Sequence, residues 1–323
     1  MKYALPDAEK DGIVLVPTQP VCTLAEIDKT VGLVKALEAN VIVGLGGGKV
    51  IDLGRATADR YSDEAGKIVP FVSAPTVAAS DAPCSSLAVI YDDHGRVVKD
   101  LFVKRPPSLV IVDSEIILRA PIRTFVAGIG DALATWYEAE SCLTSGCGNF
   151  CGGQATKLAR LAAENSKNVL FTHARQAVKD GKMKNLSPSF ERVLEANILL
   201  SGIGFESVGV ASAHALHHGI ADLPESYHDA HNKMHGEKVA FGVLVSMVLN
   251  QKNENEIRDV LELCLDVGLP TKLADFGVAA DDRQALEVIA SRATAPGEII
   301  FNEPLKITKE IVITAIRKAD QLK

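Results

Sequence analysis

Six of the eight histidines in this chain lie between His214 and His235, in the stretch HALHHGIADLPESYHDAHNKMH. Neutral imidazole nitrogens, paired with a carboxylate, are the donors that Zn²⁺ and Fe²⁺ take. His214, His217 and His218 stand at i, i+3 and i+4 and therefore share one face of a helix. His228, His231 and His235 follow a loop that contains Pro224. Asp131 stands alone among small apolar residues in VAGIGDALATW. A carboxylate buried there needs a cation or hydrogen-bond donors, although the same acid after Gly130 also suits a helix N-cap. The H-E-x-x-H spacing of zinc proteases is absent. Residue types alone do not select which histidines would bind, and a solvated histidine-rich loop is the plain alternative.

A second chemistry lies upstream. VIVGLGGGKVID runs from Val41 to Asp52 and reads as a strand, a glycine turn and the start of a helix. Glycines let a backbone approach a pyrophosphate closely, and the free N–H groups of a helix N-terminus favour an anion. Lys49 stands where a third glycine would complete G-x-G-x-x-G, so a plain strand-to-helix turn fits as well. The loop APTVAASDAPCSSLAVIY offers Thr76, Ser80, Ser85 and Ser86 beside the single carboxylate of Asp81, a set able to hydrogen-bond a ribose or a polyol. Cys142, Cys147 and Cys151 lack C-x-x-C spacing and read as incidental thiols.

The elements that must position these residues follow from hydrophobic period. In the first third, GIVLVP, NVIVGL, KIVPFVSAPT, SLAVIYDD and SLVIVD read as strands alternating with helical stretches, which predicts a parallel α/β sheet. After Pro121 the strand pattern stops. TFVAGIGDALATWYEAESC, SFERVLEANILLSGIGFES and VAFGVLVSMVLNQ then carry helical periodicity. The boundary falls between residues 1–120 and 121–323. With 323 residues, 47% hydrophobic, the chain can bury a large core, and its net charge of −7 argues against nucleic acid as a partner. No apolar run suits a membrane span, no signal peptide is visible, and six scattered cysteines suit a reducing, cytoplasmic setting.

Six segments in this order, GGGKVID, PTVAASDAPCSSLAVIY, AGIGDALATWYEAE, EANILLSGIGFES, AHALHHG and HGEKVAFG, resemble the glycerol dehydrogenases of the group III, iron-type, metal-dependent alcohol dehydrogenases. The resemblance runs from about Asp11 to the C-terminus. It implies a Rossmann-like NAD-binding domain in residues 1–120 and an all-α metal-binding catalytic domain in residues 121–323. The implied metal ligands are Asp131, His214 and His235, holding zinc or, in relatives, iron. Gly47, Gly48, Lys49, Asp52, Thr76, Ser85, Leu87 and Tyr91 match positions that meet NAD, and Asp81 matches one that meets the polyol. The implied reaction oxidises glycerol to dihydroxyacetone by metal-assisted alkoxide formation and hydride transfer, commonly in a homo-octamer. His217, one turn from His214, is a candidate to touch substrate or relay a proton.

Departures from the pattern set further expectations. By comparison with the family, a first strand–helix unit on the order of forty to fifty residues is lacking before Asp11. Ala79 stands where a serine is usual, YSDEAGKIVP is long, and NKM enlarges the histidine loop. A second reading is therefore a shortened relative that binds metal and oligomerises but has impaired NAD binding. A third is a lyase of the dehydroquinate synthase type, which shares the architecture; AGIGDALATW and SDAPCS favour glycerol dehydrogenase over it.

Overall fold

The computed structural model describes residues 12–19, 21–93 and 97–323. The first part runs α1 (Leu24–Ala36), β1 (Ile42–Gly46), α2 (Gly48–Ala65), β2 (Phe71–Pro75), β3 (Leu87–Tyr91), β4 (Val97–Phe102) and β5 (Leu109–Val110). From α3 (Ser114–Arg119) onward the chain is helical. The helices are α4 (Ile122–Ser145), α5 (Lys157–Lys182), α6 (Pro188–Glu195), α7 (Ser201–Ser207), α8 (Ser212–Ala221), α9 (His228–Asn232), α10 (His235–Leu249), α11 (Glu254–Val267), α12 (Arg283–Ala293) and α13 (Lys309–Asp320). Among the described residues, no single helix is long and apolar enough to cross a membrane.

The expected parallel sheet is present in the order β1–β2–β5, with Ile42 opposite Phe71 and Val72 opposite Leu109. Helix α2 covers it by burying Ile51, Ala58 and Tyr61 against Ile42 and Phe71. Its other side packs Leu53 and Ala56 with Ile27 and Val31 of α1 and Ala88 and Ile90 of β3.

Three strand expectations change. GIVLVP forms no strand. Ile13 to Val16 are 39%, 57%, 52% and 37% exposed, and no strand lies beside them among the described residues to take their backbone hydrogen bonds. SLAVIYDD does yield β3, but β3 pairs antiparallel with β4 in a separate two-stranded sheet, Leu87 opposite Phe102. Period-two burial is the same in either kind of sheet, so pattern alone did not reveal the direction. SLVIVD contributes only its Leu109–Val110 pair to the ladder.

In the helical part α4 is the central post, buried almost continuously from Thr124 to Ala139 and packed on α5, α8 and α10. Its crossing with α10 is unusually close. A Cβ on Gly130 would lie 2.3 Å from the Gly236 carbonyl oxygen, and one on Gly236 would lie 1.9 Å from that of Ala127. Only glycine admits this approach. Asp131 and His235, next to these glycines in sequence, are thereby brought face to face. The stretch SFERVLEANILLSGIGFES is broken by a π-helical turn at Ala196–Leu200 between α6 and α7. Such turns re-aim side chains, and here Asn197 and Ser201 turn toward the loop after β2.

Candidate metal and active site

Asp131 from α4, His214 from the first turn of α8 and His235 from the start of α10 offer three ligand atoms within 4.8 Å of one another. Both imidazoles present Nε2 to one oxygen of Asp131, His235 at 3.0 Å and His214 at 3.4 Å. Among the described residues this is the one such group. Two of the other candidates are engaged elsewhere: His218 Nδ1 lies 3.1 Å from Glu298, and His231 Nε2 2.8 Å from the Leu223 carbonyl.

Each ring is steered from behind. His214 Nδ1 donates to Glu138 Oε2 at 2.5 Å, and Glu138 Oε1 accepts the backbone N–H groups of Ala211 and His214, both at 2.9 Å. Nε2 of His214 is thus left facing Asp131. His235 Nδ1 lies 3.2 Å from His217 Nε2, again leaving Nε2 inward. One carboxylate and two imidazoles with their outer nitrogens engaged form a donor set suited to a divalent cation.

Electrostatics agree. Burial would raise the Asp131 carboxyl, but the His235 charge and hydrogen bonds from both histidines outweigh it and hold it below the usual range. His214 rises well above an ordinary imidazole despite burial, because of the Glu138 charge and its bonds to both acids. His217, desolvated and surrounded by His235, His218 and Lys238, is pushed well below an ordinary imidazole.

The second oxygen of Asp131 accepts the backbone N–H of Asp81 at 3.3 Å. The loop after β2 is thereby tied to the metal donors. Ser201 Oγ donates to Asp81 Oδ2 at 2.8 Å, and Asn197 Nδ2 donates to the Ala78 carbonyl at 3.4 Å. Burial, then the charge of Asp131, push the Asp81 carboxyl up to about 7.

The eight residues matched to NAD gather around the same loop. The strand ends at Gly46, Gly47 is the N-cap, and α2 starts at Gly48 with no side-chain cap. Thr76 N–H donates to the Gly46 carbonyl at 2.9 Å, placing loop and glycine turn side by side. Lys49 Nζ sits 4.7 Å from the centre of the Tyr91 ring. Ser85 is buried and accepts the Leu87 N–H at 3.4 Å. Asp52 is turned inward: its oxygens take the Arg55 guanidinium at 3.0 Å and the Val89 N–H at 3.2 Å.

Glu138 and Arg55 were missed by reading the sequence. Glu138 stands seven residues after Asp131, two helical turns along the same face, and that spacing was a usable signal. Arg55, 1% exposed, also donates to the carbonyls of Ala82 and Leu87. These bonds cross about thirty residues of chain, and nothing local announces them.

A parallel α/β sheet with a glycine turn, joined to a helical bundle that holds Asp/His/His beside it, is the architecture of a metal-dependent dehydrogenase. Residues 2–114 match the family model for iron-containing alcohol dehydrogenases. The chain is 42% identical to a glycerol dehydrogenase of Escherichia coli over 300 residues, covering 93% of this chain and 79% of that protein. Identity to a glycerol dehydrogenase of Thermotoga maritima is 41%, again over 93% and 79%. A probable glycerol dehydrogenase from Sinorhizobium meliloti superposes with a TM-score of 0.89 at 38% identity, covering 98% of this chain and 88% of that one. The chain belongs to the iron-containing alcohol dehydrogenase family and is an oxidoreductase.

Proposed function

We propose that this protein oxidises glycerol, or a close vicinal diol, to dihydroxyacetone, with NAD as the hydride acceptor. The observation that carries this reading is the shared Asp131 carboxylate. One oxygen faces the two histidines and the other holds the loop that bears Asp81. Diol and nicotinamide would therefore meet on one rigid support.

Asp131, His214 and His235 would hold the cation, which when bound supplies a positive charge that lowers the pKa of a substrate hydroxyl. Zinc is our choice, and Fe²⁺ suits the same donors. Asp81 would accept a hydrogen bond from a second hydroxyl and so orient the diol. Gly47, Gly48 and Lys49 would cradle the pyrophosphate at the start of α2. Thr76, Ser85, Leu87 and Tyr91 would hold the nucleotide so that its ring meets the secondary carbon and water is excluded. NAD, when bound, would supply the acceptor for a hydride from that carbon, and the hydroxyl proton would leave toward solvent. His217, behind His235, would fix that ring and pass a proton outward. An unchanged turnover rate and pH profile in His217→Ala would end that role.

In this reading residues 1–120 serve NAD, and residues 121–323 serve the metal and substrate, in a homo-oligomer. Six free cysteines fit a reducing compartment such as the cytoplasm. The reading of a metal-binding relative with impaired NAD binding is not favoured, since identity to glycerol dehydrogenases extends over 93% of the chain. The lyase reading has no support in these matches. The test is NADH fluorescence titration of the zinc-loaded protein, followed by glycerol-dependent reduction of NAD. Saturable binding with turnover is expected. Absence of either would overturn the reading.

A further inference from the structure

We infer that Phe150 docks the β3–β4 hairpin onto the helical part and is a positioning residue for the nucleotide; this rests on the function proposed above. Phe150 lies in the loop SGCGNFCGG, which none of the chemistry above uses. Its ring stands between two others. Phe102 of β4 stacks on it at 5.0 Å and 27°, and Phe205 of α7 meets it at 5.0 Å and 35°. Phe205 in turn lies 6.3 Å from the His214 ring. A ladder of rings therefore runs from the hairpin to a metal ligand.

The loop that presents Phe150 is held firmly. Asn149 Nδ2 donates to the Ser207 carbonyl at 2.9 Å, its backbone N–H donates to the Gly153 carbonyl at 2.9 Å, and its Oδ1 accepts the Gly153 N–H at 2.9 Å. Phe102 is otherwise loosely kept, 46% exposed. In register it sits opposite Leu87, one of the residues matched to the nucleotide. On the side of the helical part, the Ser86 N–H donates to Glu206 at 3.0 Å, while Leu87 and Val89 are held from α2 by Arg55 and Asp52. The ring contact between the hairpin and the helical part is Phe102 on Phe150. Removing the ring would take away this seat on the helical part and loosen that wall of the nucleotide site, while its anchors on α2 and the metal donors stay in place.

The test uses the full-length, zinc-loaded protein and four variants: Phe150→Ala, Phe150→Leu, Phe102→Ala and the Phe102→Ala/Phe150→Ala double. An aromatic pair of this kind corresponds to roughly a three- to tenfold change in an equilibrium constant. The expected result is a rise of about that size in the NADH Kd for F150A and for F102A, and no further rise in the double variant. F150L should recover most of the affinity, and zinc affinity by chelator competition should stay at the wild-type value. Because Phe102 is half-exposed, F102A retains the fold and keeps the test decisive if F150A does not. Wild-type NADH affinity in F150A or F102A, strictly additive losses in the double variant, or parallel loss of zinc would each overturn the inference. A wild-type protein that does not bind NADH would overturn the proposed function and this inference with it; binding by wild type and F150A alike overturns the inference alone.

Discussion

His214 donates its Nδ1 hydrogen to Glu138 across 2.5 Å, and the same fully buried carboxylate accepts two backbone N–H groups at the start of the helix that carries His214. One side chain therefore sets both the ring and its support. Glutamine at this position keeps one acceptor oxygen but turns an NH₂ toward either the ring or the helix end. The ring then loses its partner or presents Nε2–H to the cation. Glu138→Gln is expected to weaken metal affinity about 10- to 100-fold, measured by competition with a chromogenic chelator. Unchanged affinity would show that packing alone orients His214.

The crossing of α4 and α10 makes a different demand. A methyl group on Gly236 would fall 1.9 Å from the Ala127 carbonyl oxygen, which belongs to helix backbone and cannot swing aside. Gly236→Ala must push α10 away and carry His235 from Asp131. We expect a stability loss at or above the usual overpacking range of about 1–3 kcal/mol, together with loss of metal. Denaturant unfolding and metal content measured on one preparation check this. A variant that keeps both would show that the close approach is not needed.

How much of this was legible depended on the range of the interaction. The strand-to-helix glycine turn at Gly44–Gly48 and the long helices were readable because their signals are local. The approach of Asp131, His214 and His235 entered through resemblance to a family; residue types left six histidines in contention. Glu138 was readable in principle, since it shares a helix face with Asp131. The π-helical turn at Ala196–Leu200, the antiparallel pairing of β3 with β4 and the burial of Arg55 were not. The π-helical turn and the buried arginine are decided by contacts with chain far away, as when Ser201 reaches Asp81 across 120 residues. By contrast, β3 and β4 lie close together in the chain, and their pairing was hidden because Val97–Phe102 was not read as a strand. Burial of a charge is a tertiary event, and sequence composition around Arg55 does not distinguish it from an exposed helix arginine.

Arg55 gives the third prediction. Its guanidinium holds Asp52 and the carbonyls of Ala82 and Leu87, at both ends of the loop segment that contains Ser85. Arg55→Met fills similar space but leaves a buried carboxylate and two carbonyls without their donor. Breaking one side of a buried pair typically costs about 3–5 kcal/mol. Stability should fall by that order, and NADH affinity should fall with it because the loop loses its anchor. Equilibrium unfolding and NADH titration of the same variant test the two parts. Full stability with normal NADH binding would remove Arg55 from any role in shaping the nucleotide site.

Asp81 ties stability to pH and to the metal. In the metal-free protein, burial and the charge of Asp131 raise its carboxyl from 3.8 to about 7. A carboxyl with a raised folded-state pKa favours the unfolded chain once it ionises. That penalty is complete above pH 7, diminishes as pH falls through 7 and vanishes below about 4, where both states hold the proton. An asparagine in its place cannot ionise yet keeps an oxygen for Ser201. The groups that titrate in both proteins largely cancel in the difference between them. Asp81→Asn should therefore be more stable than wild type in metal-free form, with a gap that widens from about pH 5 to about pH 8. Zinc should narrow the gap at the upper end, since a cation on Asp131 neutralises the charge that raised Asp81. Unfolding curves for both proteins across this range, with and without zinc, decide it. A gap that ignores pH would mean the Asp81 carboxylate is satisfied without the cation, and its place in the site would then be to anchor the loop through Ser201.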